Sequence, residues 1–514
     1  MELLQNLLQG LEITFTWQGI LAVAAGVFIG ILFGLTPGLD ATSGVALMLP
    51  FTYPMPATIA LLFLGGLYCA ASYAGSITAI CLGVPGTPAA AATALDGYPL
   101  MKKGRAGEAL FVSLYSSVIG GLISTVFLVL LMGPLVKMAL SFGPAEYFSL
   151  ALFGLTVIAS LVGRQFIKGF IVAVLGLLIS TVGMDAYTSY PRFTFGIPEL
   201  FEGISFVPAM VGLFAVSEAL VNLEKLGAGR VVSAVANRIP GWKEIKKLHG
   251  IILINSFIGS FLGALPGVGA ATACWVSYNQ AQRMSKHPEK FGTGILEGVA
   301  APESSNNATV STALAPLLAL GVPGSATAAV LLGALIMHGL QPGPELFKKA
   351  PDVVYALLAS LFVANIIMGI LGYFGIRLWT SFLKLPIGVL TALIFGFAFL
   401  GAFGVRYTLI DVIIMLAFGF LGYILRKFEF PLPPLVLALV LGFMVEDNFR
   451  RALMISNNGA LIFVTKPLSL VFLILAILSL FAPYIQTQWA IRKARREGKT
   501  VEEALEEVSR MFSD

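Results

Sequence analysis

Long apolar runs, separated by short polar or Pro-Gly segments, make up most of the chain. The first run, Trp17 to Leu35, stops at Thr36-Pro37-Gly38, and another, Ile59 to Val84, stops at Pro85-Gly86. Runs of this kind also lie at 109–132, 147–162, 166–184, 204–223, 251–265, 353–376, 385–403, 409–425, 432–444 and 468–484. At roughly 20 residues per crossing, they predict an all-α polytopic membrane protein with about 11 to 14 membrane segments.

Pro-Gly pairs interrupt several of the apolar runs. In lipid every backbone N–H and C=O needs a partner, so a broken helix is tolerated only where it is buried in protein or lines a polar cavity. The pentapeptide Leu-Gly-Val-Pro-Gly occurs at both 82–86 and 320–324, an offset of 238 (320 − 82). Residues 34–39 and 263–268 share a second break at an offset of 229 (263 − 34). Two paired breaks in the same order predict an internal duplication.

The duplication divides the chain into two repeat halves. We expect the halves at 1–224 and 250–488, a basic cytoplasmic linker at 225–249, and a charged amphipathic tail at 489–514. Lys and Arg favour the cytoplasmic side of the membrane, which places both the linker and the C-terminus there. The first half starts without a basic residue, whereas the second starts from the basic linker. The halves are therefore predicted to be inverted repeats with broken helices or re-entrant hairpins.

Composition narrows the class of protein further. Of 514 residues, 57% are hydrophobic and 11% are charged, and the mean hydropathy is +0.90. A soluble domain carries about 25% charged residues, so this chain lacks the charge for a water-facing surface. The net charge of +5 is concentrated in loops and the tail, which indicates topology and not nucleic-acid binding. The spacing of the three cysteines and three histidines predicts no metal site.

Small hydroxyl residues follow the breaks, where a substrate could bind. The free N–H groups and the positive dipole at the start of a half-helix favour carboxylates and phosphates. The alternative is that Pro-Gly only kinks packed helices and that the hydroxyls bond back to the preceding turn. The paired breaks favour a substrate site. Its predicted residues are Pro37, Gly38, Thr42, Ser43, Gly86, Thr87, Pro266, Gly267, Thr272, Gly324 and Ser325.

A stretch of five polar residues, 303–307, is flanked by apolar runs on both sides. Asparagine amides could offer donors and acceptors to a carboxylate, and their oxygens could coordinate a cation. The alternative is a water-exposed loop. We expect Ser304, Ser305, Asn306 and Asn307 to join the substrate site.

Two acidic residues are candidates for ion coupling. Three roles are open for Glu303: a carboxylate at a helix start, a proton carrier, or part of a coupling site. Asp40 lies two residues after the first Pro-Gly pair, where an acid commonly caps the next helix. It could also hold a coupling cation or proton, because acids inside the membrane are functional candidates by default.

Six motifs together resemble the large membrane subunit of the tripartite tricarboxylate transporters. They are the segments 34–39 with Leu49-Pro50, 83–86, 96–99, 301–308, 320–324 and 338–343. The chain departs from that pattern at Asp40, where a small residue is usual, and at Ser304-Ser305, where alanine is more common.

The resemblance implies a secondary transporter that imports small di- or tricarboxylates across the bacterial cytoplasmic membrane. The driving gradient is Na⁺ or H⁺, with no other cofactor. The implied partners are a periplasmic solute-binding protein and a small membrane subunit, and a homodimer is possible. We expect alternating access around a midplane site.

Two other classes of function compete with a transporter. An anion channel or passive pore would present a continuous polar stripe along several helices, whereas polarity here is concentrated at the breaks. An intramembrane enzyme needs a nucleophile, an acid–base pair or a metal set, and the sequence presents no such constellation. We therefore expect a transporter and not an enzyme.

Overall fold

The computed structural model describes residues 2–36, 38–161, 166–224, 239–383 and 385–496. Nine helices in these ranges are long and apolar enough to cross a membrane, and one bent helix pair adds a tenth candidate. The predicted number, 11 to 14, is larger than this count. Three shorter apolar helices lie at Ala41–Thr52, Phe166–Ser180 and Ala326–Met337, and the second of them falls in a predicted run. The predicted class, an all-α polytopic membrane protein, is confirmed.

The helices alternate between long spans and short segments at the breaks. Residues up to 224 form α1 (Glu2–Thr14), α2 (Trp17–Gly34), α3 (Ala41–Met48), α4 (Ala57–Leu82), α5 (Ala91–Lys102), α6 (Ala106–Ala139), α7 (Pro144–Leu161), α8 (Phe166–Ser180), α9 (Phe206–Met210) and α10 (Ser217–Glu224). Between α8 and α9 two short strands pair antiparallel, β1 (Gly183–Met184) and β2 (Pro191–Arg192). A π-helical segment, Val211–Val216, joins α9 to α10.

The later helices follow the same alternation. They are α11 (Trp242–Gly263), α12 (Gly269–Met284), α13 (Glu297–Thr312), α14 (Leu314–Leu320), α15 (Ala326–Met337), α16 (Pro344–Lys349), α17 (Pro351–Phe374), α18 (Ile376–Phe382), α19 (Ile387–Arg406), α20 (Leu409–Lys427), α21 (Leu432–Ile455), α22 (Ile462–Thr465) and α23 (Pro467–Arg496). The predicted linker lies outside the described residues up to 238, and α11 takes up its end from Trp242. The predicted tail lies outside them from 497 onward.

The chain forms two compact units. One consists of Met1–Ala139 and Val207–Tyr423, and the other of Leu140–Phe206 and Ile424–Asp514. In the second unit, α21 packs on α7 and α8, and α23 packs on α7. The predicted halves describe a duplication of sequence and do not coincide with these units. The candidate site residues all belong to the first unit.

An ionic cluster ties the β1–β2 hairpin to α21 in the second unit. The Asp185 carboxylate lies 3.3 Å from the Arg192 guanidinium and 2.9 Å from that of Arg450. Both arginines also pair with Glu446 at 2.7 Å. The backbone N–H of Thr188 is the main cause that lowers the pKa of Asp185, and the nearby guanidinium of Arg450 lowers it further. Asp185 therefore stays ionised at neutral pH and holds both arginines.

The first unit is built on two helix pairs that pack through glycine. A Cβ atom at Gly34 of α2 would lie 2.4 Å from the carbonyl oxygen of Ala71 on α4, so only glycine allows this approach. The contacts of α2 with α4 recur between α11 and α13: Gly30 faces Leu67 and Gly34 faces Ala71, whereas Gly259 faces Ser305 and Gly263 faces Thr309. The glycines are related by the offset of 229 and their partners by 238. The packing thus repeats at the same offsets as the sequence.

The shared pentapeptide ends a helix in the same way in both places. Gly83 follows α4 with φ 69°, and Gly321 follows α14 with φ 73°, the left-handed conformation that glycine adopts without strain. Proline comes two residues later and cannot continue the helix. The N–H groups of Gly86 and Gly324 then donate to carbonyls at the related positions, Gly75 at 3.1 Å and Ala313 at 3.3 Å.

The helices that follow the second break exchange partners between the halves. The long helix α6 packs on α13, and its counterpart α17 packs on α4. An exchange of this kind is what two copies related by a two-fold axis produce. The opposite orientation of the halves in the membrane rests on loop charge and stays a prediction.

A buried carboxylate fixes the polar connection between α12 and α13. Asp96 of α5 is fully buried, and its Oδ2 accepts the hydroxyl of Tyr278 at 2.8 Å and the N–H of Gly292 at 3.1 Å. Its Oδ1 accepts the N–H groups of Gly294 at 2.7 Å and Ile295 at 2.9 Å. One carboxylate of α5 thus accepts four hydrogen bonds, one from α12 and three from the connection that follows it. These bonds fix the chain just before α13 begins.

Candidate functional site

The polar stretch 303–307 lies in the interior of α13, and none of its five residues is more than 1% exposed. The alternative of a water-exposed loop is therefore excluded. Glu303 is the seventh residue of α13, whereas a helix-start carboxylate acts only within the first turn. The helix-start interpretation of Glu303 is wrong.

The Glu303 carboxylate is enclosed by hydroxyl groups. Its Oε1 accepts the hydroxyl of Thr93 on α5 at 2.5 Å, and its Oε2 accepts those of Ser113 and Ser117 on α6, each at 3.2 Å. Ser76 of α4 in turn contacts Ser113 at 2.7 Å. No Lys or Arg pairs with Glu303 in the described ranges. Because a hydroxyl can donate or accept, this cage satisfies the carboxyl group in either protonation state.

Asn306 and Asn307 use their amide nitrogens to hold α13 against α4. The Nδ2 of Asn306 donates to the carbonyl of Ser72 at 2.9 Å, and that of Asn307 donates to the carbonyl of Cys69 at 3.3 Å. Carbonyl oxygens accept only, so each amide must turn its nitrogen toward α4 and its oxygen away. Neither Oδ1 has a hydrogen-bond partner among the described residues. These asparagines therefore have acceptors left to offer a ligand.

The first break of the first half meets the second break of the second half. The hydroxyls of Thr42 on α3 and Thr327 on α15 lie 2.9 Å apart, and both residues are buried. The Tyr68 hydroxyl on α4 lies 3.0 Å from that of Ser325. Ser325 is also the N-cap of α15 and accepts a backbone N–H of the first helical turn. Two half-helix starts thus converge with their hydroxyls in contact.

Asp40 caps α3. Its Oδ1 accepts the backbone N–H of Ser43 at 2.8 Å and the Ser43 hydroxyl at 3.0 Å. At the corresponding position Gly269 has φ +68°, and α12 has no side-chain cap. The two helix starts therefore differ in backbone conformation, and this accounts for aspartate at position 40 and glycine at position 269. The ion-coupling role of Asp40 stays a prediction.

The glycines at the breaks allow the two breaks of each half to touch. The N–H of Gly267 donates to the carbonyl of Gly324 at 3.1 Å. A Cβ atom at Gly86 would lie 2.6 Å from the carbonyl oxygen of Gly34, and one at Gly38 would overlap the Glu218 carboxyl group. These glycines serve close packing.

The remaining predicted residues occupy several environments. Thr87 is buried against Gly75 of α4, and its Oγ1 has no partner among the described residues. Ser304 donates to the carbonyl of Ala301 at 3.0 Å. The Ser305 side chain lies against Gly259 on α11. Pro266 and Thr272 are half-buried beside the α11–α12 break, and Pro37 lies outside the described residues.

The sequence prediction missed several side chains that complete these clusters. They are Tyr68, beside Ser325, and the hydroxyls of Thr93, Ser113 and Ser117 around Glu303. The repeat could have indicated Tyr68, because the offset of 238 relates it to Asn306, which was a predicted site residue. The hydroxyls around Glu303 carry no local signal, since they lie on helices 186 to 210 residues away.

An apolar cavity of about 470 Å³ borders α3. Leu32 and Phe33 of α2, Leu47 of α3 and Leu393 of α19 contribute to its wall, and Thr36 is the one polar residue in its lining. A carboxylate needs several hydrogen-bond donors, and the one hydroxyl of this wall, that of Thr36, already donates to the carbonyl of Leu32. The cavity is therefore not the carboxylate site.

The profile of the tripartite tricarboxylate transporter TctA family matches residues 20–437 of the chain. An uncharacterised 52.8 kDa protein in the TAR-I ttuC' 3' region of Agrobacterium vitis is 39% identical over 470 residues, which cover 91% of this chain and 94% of the relative. An uncharacterised protein in the TAR-II ttuC' 3' region of the same organism is 39% identical over 211 residues, 41% of this chain and 87% of the relative. No solved structure matches the chain.

Proposed function

The chain belongs to the tripartite tricarboxylate transporter TctA family, and we propose that it imports small carboxylates across the bacterial cytoplasmic membrane, driven by an ion gradient. It is a multi-pass membrane protein of a tripartite system. The observation that best supports a substrate site is the contact of Thr42 with Thr327, where two half-helix starts meet.

The chemistry of this meeting point suits a carboxylate. The caps Asp40 and Ser325 each take one N–H group of the first turn of α3 and α15. The other N–H groups of these first turns and the positive ends of two helix dipoles favour an anion. Thr42, Thr327 and Ser325 add hydroxyl donors that are small enough to leave room for substrate. When a carboxylate enters, the hydroxyls of Thr42 and Thr327 exchange their mutual hydrogen bond for bonds to its oxygens.

The proposed partners follow from the tripartite family. We expect a periplasmic solute-binding protein to deliver the carboxylate and a small membrane subunit to accompany this chain. A homodimer and a cytoplasmic C-terminus complete the proposed arrangement.

The test is uptake by membrane vesicles that contain the full chain with its small subunit and the loaded binding protein. Radiolabelled citrate and a panel of dicarboxylates serve as substrates. We expect accumulation above the outside concentration, and we expect it to vanish when an ionophore collapses the Na⁺ or H⁺ gradient. Equilibration without accumulation, insensitive to ionophores, would instead show a channel or passive pore.

The Asp40→Asn variant is expected to fold normally and to lose ion-dependent uptake. Asparagine and aspartate are comparable N-caps, so the substitution keeps the bond to Ser43 and removes only the charge. Asp40→Ala is the control for the cap, whose loss costs about 0.5–2 kcal/mol of stability. Thermal unfolding and vesicle uptake are measured for both variants. If Asp40→Asn transports with unchanged ion dependence, Asp40 is only a cap, and Glu303 is the next coupling candidate.

A further inference from the structure

One hydrogen bond between the halves has no counterpart at the related positions. Tyr68 and Ser325 form a hydrogen bond of 3.0 Å between α4 and the start of α15. The offset of 238 relates Tyr68 to Asn306 (68 + 238) and Ser325 to Thr87 (325 − 238). The packing of the glycines and the hydrogen bonds of Gly86 and Gly324 follow the same offset. Asn306 and Thr87 are therefore the counterparts of a hydrogen-bonded pair.

Asn306 and Thr87 do not form the corresponding bond. The Asn306 Oδ1 and the Thr87 Oγ1 are both buried, and neither has a partner among the described residues. An asparagine side chain is much shorter than that of tyrosine, which accounts for the missing contact. Tyr68 and Ser325 thus use their oxygens on each other, whereas the oxygens of Asn306 and Thr87 remain available to a ligand.

The two residues that carry these oxygens contact α4 one turn apart. Asn306 contacts Ser72 through its amide nitrogen, and Thr87 lies against Gly75, three residues further along α4. Three residues correspond to about 4.5 Å of helix rise. Asn307 contacts the carbonyl of Cys69, three residues in the other direction, and its Oδ1 is equally unpartnered in the described part of the chain.

We infer that Asn306 Oδ1 and Thr87 Oγ1, together with the unpartnered Oδ1 of the next residue, Asn307, bind a small monovalent cation such as Na⁺. Amide carbonyl and hydroxyl oxygens are ligands for hard cations. The site rests on the proposed function in one respect, because the cation is then a coupling ion of the transporter, in addition to any ion that Asp40 holds.

The surroundings favour a monovalent cation over the other ligands. A carboxylate would meet amide oxygens, and neither α4 nor α13 contains a Lys or Arg to attract it. Divalent ions are usually bound by carboxylates, and in the described ranges no three His, Cys, Asp or Glu side chains come together. An amide oxygen does not hold a proton at physiological pH. The uncharged amide and hydroxyl oxygens therefore suit a cation with a single positive charge.

A buried water molecule is the competing occupant, because water also satisfies buried polar groups. The two are separated by the thermal unfolding of the purified full-length chain in equal concentrations of NaCl, KCl and choline chloride, without carboxylate. A ligand that binds the folded state raises the midpoint in proportion to its occupancy. We expect NaCl to raise the midpoint with saturation. Equal midpoints in all three salts would overturn the cation site.

The variants Asn306→Ala and Thr87→Val locate the effect. Each removes one oxygen ligand, and we expect the half-saturating Na⁺ concentration to rise at least about tenfold. Asn255→Ala is the matched control. Asn255 is buried on α11, donates its amide to the carbonyl of Ile251 at 2.8 Å, and also has an unpartnered Oδ1 in the described structure. The control is expected to keep the wild-type response to Na⁺.

The outcomes separate this site from the proposed function. A Na⁺ response lost in Asn306→Ala and kept in Asn255→Ala supports the site. A response that survives in both Asn306→Ala and Thr87→Val overturns it, even if the vesicles accumulate carboxylate. Proton-driven accumulation without any Na⁺ response also overturns the site and leaves the transporter in place. Vesicles that fail to accumulate any carboxylate contradict the transporter, whatever Na⁺ does to unfolding.

Discussion

An Asp96→Ala variant is expected to lose most of its correctly folded protein. The carboxylate accepts four hydrogen bonds, from Tyr278, Gly292, Gly294 and Ile295, and alanine leaves all four donors without an acceptor. A hydrogen bond to a charged group contributes about 1.5–3 kcal/mol. Four of them together are comparable with the stability of a whole domain, about 5–15 kcal/mol.

The measurement is the yield of monodisperse protein after extraction in detergent, together with the midpoint of thermal unfolding. Tyr278→Phe is the graded control, because it removes one donor and keeps the three backbone N–H bonds. We expect it to extract normally with a modestly lower midpoint. An Asp96→Ala protein with the wild-type yield and midpoint would show that the connection before α13 does not depend on this carboxylate.

Gly34→Ala and Gly263→Ala are expected to be strongly destabilising, and to similar degrees. A Cβ atom would lie 2.4 Å from the Ala71 carbonyl oxygen in the first case and 2.8 Å from the Thr309 Cα in the second. Backbone cannot move aside as a side chain can, so the helices must separate. Overpacking of this kind costs about 1–3 kcal/mol or more.

Gly133→Ala is the matched control for both glycines. Gly133 lies inside α6, and nothing is within 4 Å of the position that a Cβ atom would take. Alanine is favoured over glycine in a helix by up to about 1 kcal/mol. The midpoint of thermal unfolding should therefore stay the same or rise. Equal tolerance of alanine at positions 34, 133 and 263 would contradict the glycine packing of α2 on α4 and of α11 on α13.

The helix ends were predictable because proline and glycine have local conformational meaning. Leu82 and Leu320 end their helices at the shared pentapeptide, since Gly83 and Gly321 adopt a left-handed backbone that the sequence motif announces. The charged loops likewise indicated where the long membrane-spanning helices end. Proline is not a helix boundary at Pro302, which lies inside α13, and so the helix-start role for Glu303, one of three left open by the sequence, is not realised.

The site was only partly predictable because its partners are distant in sequence. The polar character of Asn306 and Asn307 was evident, but the carbonyls that they bind lie 234 and 238 residues away. Those carbonyls decide which end of each amide is left for a ligand. The sequence therefore left open whether the asparagines serve an anion or a cation, and the packing on α4 favours the cation.

The long separation between Glu303 and its hydroxyl partners has a consequence for synthesis at the ribosome. Ser113 precedes Glu303 by 190 residues and Thr93 precedes it by 210. At about 5–20 residues per second, α5 and α6 enter the membrane roughly 10–40 s before α13 is made. During that interval the hydroxyls have no carboxylate to bind and α6 lacks the helix that covers it. The nascent chain must therefore hold half of a polar core in lipid until translation reaches α13.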